Sequence, residues 1–200
     1  MKHFITRLLF WGAALCFSQF SCTTSKPRVS IETEAGDILL ELYSKKAPIT
    51  TTNFLRYVDE KRYDNTKFYR VVRMDNQKIS PVKIEVIQGG LDADSTKKLP
   101  AIFHETNNKT GVKHLDGTLS MARTKPGSAN SEFFICINNQ PELDFGGKRN
   151  PDGQGFAAFG QVIAGMDVVR KIQQGEVTGP VDLPQRLVKT ITIRRIKRVR

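Results

Sequence analysis

Residues 117–137, GTLSMARTKPGSANSEFFICI, carry the most chemistry in this chain. Two short strand-like runs, 117–122 and 132–137, flank a small polar loop. Nothing in it forms a nucleophile–base pair or a metal-ligand set. It offers phenylalanines, a small alanine shelf and backbone polar groups, which suits gripping an extended peptide and suits bond cleavage poorly. Phe133 and Phe134 are adjacent, so in a strand they point to opposite faces, one to the core and one free for a groove. His3, His104 and His114 show no ligand spacing and take no role. Asp144 reads as a turn residue. Gly153-Gln154-Gly155 lies in a loop, without the strand-to-helix setting of a phosphate-binding motif.

The elements that must position this hairpin follow from the rest of the chain. Two hundred residues fit one domain with a short appendage. Lys+Arg 31 against Asp+Glu 20 gives +11, a charge that bears on solubility and association rather than fold. Residues 1–21 read as a signal peptide: Lys2 and Arg7, then an apolar run of secretory length, too short for a comfortable membrane span. Ser21-Cys22 followed by polar residues looks like a bacterial lipoprotein signal, with Cys22 as the lipidation site and 22–27 as a tether. The competing reading is a soluble secreted protein cleaved near Ser21, with Cys22 incidental. Cleavage takes Lys2 and Arg7 from the total of +11 and leaves +9. Cys16 is filler in the apolar run, and Cys136 reads as a buried small hydrophobe. No disulfide framework or zinc motif is available.

From Arg28 the pattern is β-like: Val29, Ile31 and Thr33 alternate with polar residues, and Ile38, Leu40 and Leu42 do so after an Ala35-Gly36-Asp37 turn. Pro48 opens a helix over about 49–60, with Phe54, Leu55, Tyr57 and Val58 at helical spacing. Strands are expected at 63–72, 84–88, 156–162 and 187–193, and a second helix at 166–174. Loops cover 75–83, 91–116 and 140–155. Many short strands with two helices favour an antiparallel barrel or sandwich over a βαβ sheet. The basic end, Arg194, Arg195, Lys197, Arg198 and Arg200, reads as a frayed, solvated tail, with binding to an anionic surface or nucleic acid as the alternative.

Phe68-Tyr69-Arg70, Gln88-Gly89-Gly90, Ser120-Met121-Ala122, Phe133-Phe134-Ile135 and Phe156-Ala157-Ala158-Phe159-Gly160 line up in an order that resembles the cyclophilin family of peptidyl-prolyl cis-trans isomerases. Ala47-Pro48 with Asn53-Phe54, and residues 162–169, fit as well. The resemblance covers about 29–193 and implies a mainly β fold, a closed eight-stranded antiparallel barrel capped by two α-helices. It implies an active groove on the barrel's outer face, no cofactor and no metal. Arg70 would donate to the prolyl nitrogen, and Gln88 would orient Arg70 and the substrate carbonyl. Phe134 would floor the proline pocket among Val86, Leu143 and Phe156, while Ala122, Arg123 and Thr124 would form the shelf for residues before proline. Partners would be proline-containing segments of unfolded or partly folded proteins in the bacterial envelope, met by a membrane-anchored monomer without nucleic acid. Alone, Arg70 would read as a surface ion-pair residue.

The chain departs from the common pattern at Glu132 (Gln is usual), Glu142 (an aromatic) and Phe156 (His or Tyr). Glu132 would put a carboxylate near the backbone-binding region, and with Glu142 would make the groove acidic. The segment between Arg70 and Gln88 is long, and counting back from Gln88 sets Glu85 where a pocket Phe is usual. If Glu85 and Glu142 spoil turnover, the alternative is a non-catalytic module that binds proline peptides.

Overall fold

The computed structural model describes residues 26–199. The expectations for the signal peptide 1–21 and for lipidation at Cys22 lie outside the described residues. In chain order the elements are β1 (Arg28–Thr33), β2 (Gly36–Leu42), α1 (Pro48–Asp59), β3 (Thr66–Val72), β4 (Val86–Gly90), α2 (Asn107–Thr110), β5 (Thr118–Met121) and β6 (Phe133–Cys136). A 3-10 turn (Pro141–Leu143), β7 (Ala157–Ala164), α3 (Met166–Gln173), the two-residue β8 (Val177–Thr178) and β9 (Arg186–Val199) follow.

The strands pair antiparallel in the order β1-β2-β7-β5-β6-β4-β3-β9, and β9 pairs back onto β1. This closes the expected eight-stranded barrel, with β8 a short addition on the edge of β9. Alternation decides which side chains point inward: in β1 Val29, Ile31 and Thr33 are buried, and in β2 Ile38, Leu40 and Leu42. The interior is an aromatic cluster. Phe54, Tyr57 and Tyr63 meet Phe68, Phe133 and Phe159, all at 0% exposure, and the Phe54 and Phe133 rings stand edge to face at 5.5 Å.

Pro48 sits in the first turn of α1, where a missing N–H costs nothing. No local side chain caps this helix. Instead the distant Glu105 accepts from Ile49 N (3.1 Å), Thr50 N (2.7 Å) and Thr50 Oγ1 (2.7 Å). One carboxylate thus satisfies the helix start and pins the long 91–116 loop to the barrel. α3 begins at Gly165, with φ +91°; a Cβ there would lie 2.4 Å from Asp37 O, so only glycine lets this helix start against β2.

The basic end is not a frayed tail. β9 runs to Val199 and pairs with β1 over Arg28–Thr33. The sequence hides this because Ile193 and Ile196, both facing the core, are three apart. A register shift opposite Glu32/Thr33 absorbs the extra residue. The cations are paired across the seam: Arg195 and Lys197 with Glu32 (both 2.6 Å) and Arg198 with Asp59 (2.7 Å). Arg195 and Lys197 hold Glu32 down to about 2.

Candidate active site

Two apolar clusters divide the barrel wall. Phe133 belongs to the interior; its neighbour Phe134 faces outward with Val72, Ile84, Val86, Cys136 and Leu143, flanked by Ala122 and Phe156. This outer cluster floors a cavity of about 580 Å³. Phe156 meets Phe134 edge to face at 5.3 Å. Cys136, at 0% exposure, fills the floor as a small hydrophobe.

A bulge aims the polar rim. Both ladders of β3, with β4 and with β9, shift register between Phe68 and Arg70. Phe68 and Val71 face the interior cluster and Val72 the outer one, so the extra residue leaves both Tyr69 and Arg70 on the outer side. Cross-strand pairing then sets Arg70 beside Gln88 and Gln88 beside Phe134, one row across β3, β4 and β6.

Arg70 is held on both sides by amides. Its Nη1 donates to Gln88 Oε1 (2.7 Å), and its Nε and Nη2 donate to Gln185 Oε1 (3.1 and 2.5 Å). No carboxylate pairs with it among the described residues. Burial first, and then the charge of Arg149, lower its pKa from the usual guanidinium value. Gln88 Nε2 donates to the Tyr69 hydroxyl (2.7 Å), which donates to Glu132 Oε2 (2.6 Å). Burial and the neighbouring Glu132 charge push Tyr69 up, so it stays a donor.

Glu132 sits at the end of this chain. Besides Tyr69 it accepts from Ser131 Oγ (2.9 Å), Leu91 N (3.0 Å) and Asp92 N (3.1 Å), and Gly90 leaves it room: a Cβ there would lie 2.6 Å from Oε2. Burial raises its pKa against these donors. The other two acids turn away from the groove. Glu85 accepts from Asn138 Nδ2 (2.8 Å) and Glu142 from Lys148 N (2.8 Å), and neither lines the cavity, whereas Ile84 does. The apolar Ile84, from the long segment after Arg70, stands in that wall. The charged side chains of the lining are Arg70, Lys98, Arg123 and Arg149 against Glu132, so the groove is basic and not acidic.

The three residues expected to form a shelf lie together, and one of them is engaged inside the protein. Ala122, Arg123 and Thr124 all line the groove. The Arg123 guanidinium, however, forks onto Asp152 (2.7 and 2.8 Å) and Gly155 O, and its side chain is 1% exposed. It fastens the 144–155 loop and stacks over Phe156 at 5.2 Å, and it holds Asp152 down to about 2. Its donors are spent inside the protein.

His114 and Asp144 have more to do than the sequence indicated. His114 Nδ1 lies 2.8 Å from Asp144 Oδ1, and Nε2 lies 3.0 Å from Ser120 Oγ. A serine–histidine–aspartate line of this kind invites a nucleophile reading, but Ser120 is 0% exposed. The imidazole instead stacks against Phe134 (centroids 6.1 Å, planes 15°) and props the groove floor from behind. Asp144 also accepts from Asn107 Nδ2 (2.5 Å) and from His114 N (3.1 Å). Ile84 and Arg149 line the groove without having been singled out from the sequence, and Tyr69 and Gln185 hold Gln88 and Arg70 from beside it. Gln185 comes from a loop 115 positions from Arg70, with no local signal.

Comparison with known proteins gives the same family throughout. The family model for cyclophilin type peptidyl-prolyl cis-trans isomerases matches residues 28–198. Peptidyl-prolyl cis-trans isomerase B of Escherichia coli is 38% identical over 167 residues, covering 80% of this chain and 92% of that protein. Peptidyl-prolyl cis-trans isomerase A of Dickeya dadantii is 37% identical over 161 residues, covering 79% and 77%. A solved cyclophilin-type isomerase of Cryptosporidium parvum, determined in the presence of the dipeptide Ala-Pro, superposes with a TM-score of 0.64 at 24% identity, covering 86% of this chain and 99% of that one.

Proposed function

The chain belongs to the cyclophilin-type peptidyl-prolyl cis-trans isomerases, and from that premise we propose that Arg70 drives the rotation of X-Pro bonds by donating to the prolyl nitrogen. The bond to be turned has partial double-bond character and a barrier of roughly 18–20 kcal/mol. Uncatalysed X-Pro exchange takes tens to hundreds of seconds. A twisted amide has lost its resonance, and its nitrogen lone pair becomes available to a donor. An enzyme need only bind that twisted state more tightly than either planar one. The observation that carries this reading is a guanidinium without a counter-carboxylate among the described residues, fixed by Gln88 and Gln185 at the rim of the Phe134 floor. A charge-assisted hydrogen bond of about 1.5–3 kcal/mol, gained only in the twisted state, accelerates the step by roughly ten- to a hundredfold.

In this reading the proline ring rests on Phe134 between Val86, Leu143 and Phe156. Residues before proline run along Ala122 to Thr124, and residues after it leave past Ile84 and Arg149. The substrates are proline-containing segments of unfolded or partly folded chains. A lipid anchor on Cys22 would hold the enzyme in the bacterial envelope; the support for this is the charged, apolar and Ser21-Cys22 order of the first residues. A protease-coupled assay on a proline peptide tests the mechanism. Arg70→Ala should lose most of the rate while the protein stays folded, and an unchanged rate refutes the role of Arg70. The mass of the mature N-terminus tests lipidation.

A further inference from the structure

Arg149, on the 144–155 loop, lines the groove and is bonded to Val82, ahead of the start of β4, whereas Ala122 N bonds to Glu132 O next to the end of β4. The Arg149 Nη1 is fully used: it donates to Gln77 Oε1 (3.2 Å), Ser80 Oγ (2.6 Å) and Val82 O (2.5 Å), and so ties the long 75–83 loop to the groove wall. Its Nε and Nη2 have no acceptor among the described residues, and no carboxylate pairs with it. These two donors form the side edge of the guanidinium, whose spacing matches the two oxygens of a carboxylate. The next residue adds a second sign. Asn150 lines the same groove, and its Nδ2, shielded from solvent, donates to nothing among the described residues. A buried donor left unpaired is costly, and a bound acceptor would relieve it. Another groove cation, Arg70, is likewise without a carboxylate among the described residues, while the one acid of the described lining, Glu132, is occupied by four donors of its own.

We propose that Arg149, with Asn150, is a specificity site of this isomerase that takes the carboxylate of an acidic residue following proline. The inference rests on the groove polarity given under the proposed function. Loop 75–83 supplies the acceptors that turn the Nε–Nη2 edge outward, so the long segment after Arg70 serves as the support of a substrate-reading arginine. Acidic X-Pro-Glu and X-Pro-Asp segments are then favoured over their amide and basic counterparts.

The test is exchange NMR on blocked peptides of the form Ala-Ala-Pro-X-Ala amide, with X as Glu, Gln or Lys. For the native enzyme the Glu peptide should have kcat/KM about fivefold above Gln, with Lys lowest; fivefold is ~1 kcal/mol. The ratio should shrink as salt is raised, since the pair is partly exposed. In Arg149→Gln the Glu:Gln ratio should fall to about one, and Arg149→Lys should restore part of it, keeping charge without the fork. A Glu placed before proline should not show the Arg149-dependent gain. A native ratio near one, or a ratio that survives Arg149→Gln, overturns the proposal. Should Arg149→Gln fail to fold, the native peptide series and its salt dependence decide. Turnover of the Gln peptide without acid preference sinks only this inference, whereas absence of turnover on all three sinks the reading of the groove.

Discussion

Replacing Gln185 with leucine removes the acceptor that holds two of the Arg70 nitrogens, at 3.1 and 2.5 Å, while leaving the Gln88 contact at 2.7 Å in place. A guanidinium gripped by one amide instead of two can swing about the remaining bond. Each lost contact is a hydrogen bond to a charged group, worth about 1.5–3 kcal/mol. If about half of one such bond goes into aiming Arg70 at the twisted amide, the rate falls roughly fivefold. If all of it does, the loss reaches roughly a hundredfold. Stability falls too, because the buried cation is left short of a partner and Gln185 Nε2 no longer reaches Asn76 O (3.4 Å). At about 1–2 kcal/mol this lowers Tm by roughly 2–8 °C for a domain of this size. Gln185→Glu separates aim from charge. It keeps an oxygen for Nε and Nη2, so Tm should hold or rise, but it pairs Arg70 with a full negative charge and weakens what the guanidinium offers the prolyl nitrogen. The expected pattern is both variants slow, one destabilised and one not, read by exchange NMR and thermal melts. A Gln185→Leu enzyme within twofold of the native kcat/KM refutes the argument that the second amide positions Arg70.

Three other outcomes follow from the same geometry. Tyr69→Phe leaves Gln88 Nε2 and one Glu132 oxygen each without a partner, so it should cost about 1–3 kcal/mol in denaturant unfolding and lower kcat several-fold with little change in KM. Burial raises the Glu132 pKa above its ordinary 4.5, so the fold favours the protonated form. That contribution is full below about 4.5 and is lost as pH rises through the raised value. Glu132→Gln should therefore gain stability relative to the native protein as pH rises across that window, and a pH-independent difference would count against the assignment. Glu105→Ala removes three hydrogen bonds at the start of α1 and should cost about 2–3 kcal/mol, measured by urea melts, with kcat/KM on a proline peptide nearly intact.

Much of the barrel could be read from period-two patterning in β1 and β2 and from the helical spacing after Pro48. The failures within strands have a common cause. Where a bulge inserts a residue, alternation no longer reports facing. This hid the last turn of the ladder in β9, where Ile193 and Ile196 both point inward, and it hid the reason Arg70 faces the groove at all. The Phe133/Phe134 division was legible because it needs only adjacency. Contacts made by loops were not: Gln185 reaches Arg70, and Arg149 reaches Gln77, across long separations with no periodic pattern to betray them. Charge counting also misled. Glu132, Glu85 and Glu142 suggested an acidic groove, but a carboxylate shapes a groove only when its oxygens are free. Here Glu132 is consumed by hydrogen bonds and the other two face elsewhere.

The closed ring of strands sets the groove across the barrel from β1. β1 and β6 lie four strands apart whichever way the ring is counted, so the strand that begins at Arg28 is diametrically opposite the strand that carries Phe134. If the chain is cleaved before Cys22, as proposed, residues 22–27 precede β1, and six residues reach at most about 20 Å. A chain held by such a lead would keep the back of the barrel nearer the attachment than the groove. An attachment there (to a bead, a fusion partner or a bilayer) acts as a mount rather than an obstruction, and incoming chains are met face on.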